Sequence, residues 1–162
     1  MLAGSLANNG MLDEAVAQLR KTTELFPDNS TSRESLAEHL WRQGKLAEAL
    51  RSELEGQRLA GMPPEWLEKM RKAADEGGWI GLQRTFAEYG EEQRRKTGHF
   101  SALALAQAYS FLGDRNKAIE ELRRGYGDRD ADLVYMKQAI ALQSLKDDPG
   151  FREIARKIGL PE

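Results

Sequence analysis

The glycines Gly10, Gly44, Gly78 and Gly113 are spaced by 34, 34 and 35 residues. No other feature constrains the fold as tightly, because self-similarity at such a period means one supersecondary unit repeated and stacked on its neighbours. The residues around each glycine recur as well. Eight positions before stand Leu2, Leu36, Met70 and Leu105, and seven before stand Ala3, Ala37, Arg71 and Ala106. Four before stand Leu6, Leu40, Ala74 and Tyr109, and five after stand Ala15, Ala49, Gln83 and Ala118.

The clearest copy is Leu103 to Leu122. Leu105, Ala106, Tyr109 and Leu112 form one face of a helix. Gly113 follows as a helix stop, since glycine takes the left-handed conformation without a Cβ clash. Asp114 and Asn116 are both N-cap candidates for a second helix carrying Ala118, Ile119 and Leu122. Helices joined so tightly lie antiparallel, and the small Ala106 and Ala118 let the backbones approach. The pattern therefore predicts an all-α fold.

With small residues at fixed places and Pro27 seventeen residues after Gly10, the pattern resembles the tetratricopeptide repeat, a 34-residue helix-turn-helix unit. The resemblance covers 1–27, 28–61 and 98–127, and weakens over 62–97, where Arg71 and Gln83 replace small residues. Only the first unit keeps the late proline. That unit also lacks its opening turn, so the sequence is expected to begin inside a repeat of a longer protein, Met1 being a start residue. The expected fold is a tetratricopeptide-like helical-hairpin solenoid of about four helix pairs in a single domain. Its units are a truncated first repeat (1–27), a second (28–61), a divergent third (62–97), a fourth (98–127) and a C-terminal cap (128–162).

The run from Tyr126 through Asp128-Arg129-Asp130 and Leu133-Val134-Tyr135, then Asp148-Pro149-Gly150-Phe151 to Ile158-Gly159-Leu160-Pro161, is more specific. Together with Gly77-Gly78-Trp79-Ile80-Gly81-Leu82, it resembles the C-terminal tetratricopeptide region of bacterial winged-helix transcriptional regulators and related signalling proteins. This resemblance spans roughly 62–162 and departs at Ala139, where a second Asp-Pro is expected. It implies a regulatory part attached to a separate effector domain. No DNA-binding helix-turn-helix is evident in the sequence itself.

Local signals place the elements. Leu12, Ala15, Leu19 and Leu25 predict a helix over 12–26, paired with one ending near residue 8. Thr31-Ser32-Arg33-Glu34 has capping-box spacing, so a helix is expected to start there and run to Gly44. Its partner extends to about Leu59. Gly61-Met62-Pro63-Pro64 is the sharpest break, with Pro64 suited to open a helix. That helix ends at Gly77-Gly78, and Trp79, Leu82, Phe86 and Tyr89 stripe the next. Gly125-Tyr126-Gly127 is a second expected break. Leu133, Val134, Met136 and Ile140 suggest one or two short helices. Asp148-Pro149 opens a last helix striped by Phe151, Ile154, Ala155 and Ile158, and a solenoid needs such an atypical end.

Composition narrows function. Apolar residues make up 40% of the 162, enough for a core, and 24 basic residues stand against 26 acidic ones. A net charge of −2 argues against a dedicated nucleic-acid or anionic-membrane surface. No apolar run approaches the length that spans a bilayer. Cysteine is absent, which excludes disulfides and thiolate metal sites and fits a reducing, cytoplasmic setting. His39 and His99 have no partner at metal spacing, no G-x-S-x-G is present, and Gly77-Gly78-Trp79-Ile80-Gly81 lacks the Lys-Ser/Thr of a phosphate loop. No catalytic residue, cofactor or metal is expected. Glu91-Glu92 and Asp147-Asp148 are expected to be helix-end or solvated charges, and the run Gln93 to Lys96 to sit where cations favour a helix C-terminus.

In the repeat family, first helices line the concave face. By that resemblance the groove candidates are Glu38, Trp41 and Arg42, then Gln107, Ser110 and Phe111. Trp41 beside Arg42 would make a peptide anchor, both types being enriched at hot spots; packing of Trp41 on the neighbouring repeat is the competing reading. Leu103 and Gln107 stand where a carboxylate clamp needs Lys and Asn. The sequence thus predicts a non-catalytic interaction module whose groove binds a protein or peptide partner, with no direct nucleic-acid or membrane contact. Self-association through an exposed end repeat is the alternative, and a small-molecule pocket around 79–89 a weaker one.

Overall fold

A computed structural model describes residues 2–161, with side chains from Gly10 onward. The described residues are all-α: helices α1 (Leu2–Leu25), α2 (Ser30–Arg42), α3 (Leu46–Leu59), α4 (Pro64–Thr97), α5 (Ala102–Phe111) and α6 (Arg115–Gly127) are followed by two 3-10 helices, Ala131–Tyr135 and Ile140–Leu145, and by α7 (Pro149–Lys157). No described helix is long and apolar enough to cross a membrane. Two compact units divide at 82/83, inside the divergent stretch 62–97.

In the first unit, α2 and α3 form a hairpin whose turn is Gly44 at φ 75°. Ala37 and Ala49 are completely buried in it. Ser52 donates to the Arg33 carbonyl at 2.8 Å, and a Cβ on Gly56 would lie 2.9 Å from the Glu34 Cγ. Small residues thus set the spacing of this pair. The N-cap of α2 is Asn29, whose side chain accepts from the Ser32 amide at 2.8 Å. The capping box expected at Thr31–Glu34 does not form: Asn29 takes that role, and Glu34 lies within α2, its side chain half-buried.

The turn expected at Gly10 is also absent, since α1 runs unbroken from Leu2 to Leu25. Glycine permits a turn without forcing one, at a cost near 1 kcal/mol inside a helix. Met11 and Leu12 follow it directly, whereas Asp114, which follows Gly113, caps the next helix by accepting from the Lys117 amide. Of the apolar stripe expected on this helix, Leu12, Ala15 and Leu19 are half-buried and Leu25 is exposed; among the helix's described side chains Val16 and Thr23 are the buried ones. Leu2, Ala3 and Leu6, read as repeat positions, lie outside the residues whose side chains are described.

The break at Gly77-Gly78 is where it is expected. Gly78 has φ 59° and ψ −142°, which splits α4 into arms 64–77 and 79–97. The arms are joined through that one residue. Within the first unit, residues 73 and 81 approach so closely that a Cβ on Gly81 would lie 2.1 Å from the Ala73 carbonyl oxygen.

The second unit is built on the α5/α6 hairpin, turning at Gly113 with φ 76°. Leu105, Ala106, Ala118 and Leu122 are fully buried, in one cluster with Leu133, Met136, Leu142, Phe151 and Ile154. The cap therefore closes the core of this hairpin. The break expected at Gly125-Tyr126-Gly127 falls later, because α6 continues to Gly127. Gly125 serves close approach: its Cβ would meet the Ala102 Cβ at 2.8 Å. Arg129 makes the turn at φ 57°, an unusual conformation for a residue with a side chain. Asp130 secures it by accepting from the amides of Ala102 and Asp132, each at 3.0 Å. Asp148 caps α7 and Pro149 opens it, as expected. Val134, read as an apolar helix position, is exposed.

Gly81→Ala should lower the stability of the first unit by about 1–3 kcal/mol or more, since a backbone carbonyl cannot step aside. Gly77→Ala, with nothing within 4 Å of its Cβ, should be neutral or stabilising by up to about 1 kcal/mol. Urea unfolding of the two variants checks this, and equal midpoints would contradict the packing described.

Candidate interaction surface

Trp41 stacks on Trp79, with ring centroids 5.9 Å apart and planes at 23°. It still leaves 36% of its surface exposed, so it packs on the next helix and presents a face to solvent. Arg42, beside it, is exposed. Stacking restricts the indole to one orientation, which lowers the entropy lost when that face is covered.

Glu38 faces a different environment. It sits one helical turn from Glu34 on α2, and both interact with Glu53 of α3, which is 6% exposed. Gln57 donates to Glu53 at 3.0 Å. The charged groups acting on Glu53 are Glu34 and Glu38, both acidic. Burial, reinforced by these like charges, pushes the Glu53 carboxyl up to about 8. Burial alone pushes Glu34 up to about 7, and burial with the charge of Glu34 does the same for Glu38. Among the described residues no group of three or more His, Cys, Asp or Glu could hold a metal ion. The arrangement is a protonatable packing contact.

In the second unit, Gln107, Ser110 and Phe111 are each half-buried on α5. Ser110 donates to the Ala141 carbonyl at 2.6 Å and lies 3.4 Å from the Ser144 hydroxyl, so this part of α5 is tied to the second 3-10 helix. The structure also brings together residues that sequence reasoning did not single out. A cleft of about 530 Å³ is lined by Arg84, Glu88, Glu91 and Arg95 of α4, Tyr109 and Leu112 of α5, and Lys117 of α6, among others. Tyr109 donates its hydroxyl to Glu91 at 2.8 Å, while the Lys117 ammonium lies 5.0 Å from its ring centroid. Burial, together with the Glu91 carboxylate, raises the Tyr109 phenol above its ordinary range. Arg94 forms a bidentate pair with Glu121 at 2.9 and 2.5 Å.

One expectation changes here: Glu91 is a hydrogen-bond acceptor for the hairpin rather than a solvated charge. Arg94 stands in the last turn of α4, as expected, and is also tied to Glu121. The signal of the cleft was the spacing of Arg84, Glu88, Glu91 and Arg95, one stripe on a helix, which aromatic periodicity on another face obscured.

Two segments match family models described as tetratricopeptide repeat, residues 31–52 and residues 101–127. They fall on the α2/α3 and α5/α6 hairpins. No curated protein and no solved structure matches the chain. Tetratricopeptide repeats generally mediate protein–protein interaction and are typically non-catalytic scaffolds.

The carboxyls of Glu34, Glu38 and Glu53 hold their protons more tightly in the folded chain than at their ordinary value of 4.5. The folded state therefore binds more protons than the unfolded state between about pH 4.5 and 8, and stability falls as pH rises through that window. Thermal unfolding should occur higher at about pH 6 than at about pH 8.5. Glu53→Gln should flatten that difference and raise the pH 8.5 midpoint by about 4 °C or more. Parallel pH profiles for the two proteins would contradict the buried-carboxyl assignment.

Proposed function

We propose that the chain is a non-catalytic protein-interaction module, the regulatory part of a larger bacterial signalling or transcription-regulatory protein working in the cytoplasm. In the first unit a partner segment lies along the first-helix face with Trp41 and Arg42 as its anchor; in the second unit, taken by itself, Gln107 and Phe111 are the candidate contacts. One observation carries this reading: Trp41 is held by stacking on Trp79 and yet remains 36% exposed. A tryptophan held by stacking and still partly open, beside an exposed guanidinium, combines two of the side-chain types enriched at hot spots. Glu38 supports the anchor through packing, and Ser110 by fixing α5 to the cap. Pairing of two copies of the chain is the second reading, favoured by the exposed Met11, Leu25 and Phe26 on and just after α1.

The test is capture of partners from an extract of the source cell, followed by titration of the purified partner against the wild-type chain and Trp41→Ala and Arg42→Ala variants. Each variant should weaken binding by about tenfold or more, the loss expected at a hot spot. Sedimentation decides the rival reading. A dimer that dissociates on Leu25→Glu or Phe26→Glu, with partner affinity indifferent to Trp41, would replace groove binding by self-association.

A further inference from the structure

The C-terminal cap carries a second concavity that the first-helix reading does not use. It is a pocket of about 670 Å³ between the second 3-10 helix and α7. Its floor is apolar, formed by Leu142, Phe151 and the half-buried Leu160. Its rim is cationic: Lys137, Lys146, Arg152 and Arg156 stand against one acid, Asp147. This local excess of three positive charges belongs to a chain whose net charge is −2. Arg152 is shared with Asp147 at 2.6 Å, and Lys137 donates to the Pro161 carbonyl. Lys146 and Arg156 are exposed and form no ion pair among the described residues. The rim thus carries more cationic than acidic side chains around an apolar hollow: Asp147 is engaged by Arg152, and Arg156 has only Glu153, outside the lining, as an acidic neighbour among the described residues.

The spacing of the rim adds a constraint. Arg152 and Arg156 are four residues apart on α7, which places them about 6 Å apart along the helix axis. Alternate side chains of an extended chain repeat at nearly that interval, about 6.6–6.8 Å, and share one side while the residue between them points the other way. An extended segment lying in the pocket would direct one carboxylate at Arg156, a second at Arg152 in exchange for Asp147, and one apolar side chain at the floor. We infer that this pocket docks an acidic, extended segment of a partner protein, with carboxylates two residues apart flanking an apolar anchor.

The segment is recognised internally, by side chains, and needs no chain terminus. The long Lys and Arg side chains reach it from the rim while their stems rest on the apolar wall. The inference shares with the first-helix reading only the premise that the partner is a protein, and the two sites are separable by mutation.

The probe is a fluorescently labelled heptapeptide of alternating glutamate and leucine, titrated into the full chain by anisotropy. Binding should be saturable, and should weaken by about tenfold or more in the Lys146→Ala/Arg156→Ala double variant, a loss read directly as a ratio of dissociation constants. Raising salt from about 0.05 to 0.3 M should weaken it further, because rim charges are screened. The glutamine–leucine and lysine–leucine peptides should not bind comparably. Trp41→Ala should leave the affinity unchanged, so loss of the first-helix reading would not remove this one. Both substituted residues are exposed, so circular dichroism should report an unchanged fold; Lys146→Glu provides a second variant with the charge reversed. Equal affinity for wild-type and double variant, equal affinity for the glutamine peptide, or no binding at all would overturn the proposal. So would binding of dodecanoate without binding of the peptide, which would make the pocket a site for small amphiphilic anions.

Discussion

The α2/α3 and α5/α6 hairpins and the bend at Gly78 depend on side chains being absent where two backbones meet. Ala37 and Ala49 line the α2/α3 seam with Gly56, Gly81 lies against the Ala73 carbonyl, and Ala106 and Ala118 close α5 on α6. Close approach lets neighbouring leucines interdigitate fully, which is why Leu40, Leu82, Leu105 and Leu122 are almost completely buried. The glycine turns at Gly44 and Gly113 serve the same geometry by reversing direction in very few residues. A larger residue at any seam position would force the helices apart and open voids around those leucines.

That dependence explains what could be read in advance. Small residues and glycines at a fixed period are visible in a sequence, so the α2/α3 and α5/α6 hairpins, the break at Gly78, and the Asp148-Pro149 start of α7 were legible. Gly10 was not, because the residue alone does not distinguish a permitted turn from an enforced one, and Met11 and Leu12 continue the helix. Gly125 misled in the opposite direction, since a glycine used for contact looks the same as one used for a turn. Arg129 could not have been anticipated, because its left-handed conformation is held by the bonds of Asp130 to two separate segments.

Side-chain partners were less legible than helices. Trp41 was singled out by type and position, and its stacking on Trp79 depends on how two helices cross, which spacing does not encode. Glu34, Glu38 and Glu53 look like ordinary surface acids on amphipathic helices. Only their convergence from α2 and α3 makes them a buried set, and a buried acid without a cation favours its protonated form. Arg94 and Glu121 lie 27 residues apart, and their pairing depends on how residues 83–97 and α6 meet within the second unit, which spacing does not encode.

The junction at Gly78 has a consequence for how this chain can vary over time. Its two arms meet with no spare residue, so one inserted amino acid would rotate the second arm by about 100° about its axis. Gly81 would swing away from the Ala73 carbonyl, and a residue with a side chain would be driven into it. The interval from Ala73 to Gly81 therefore behaves as a fixed ruler.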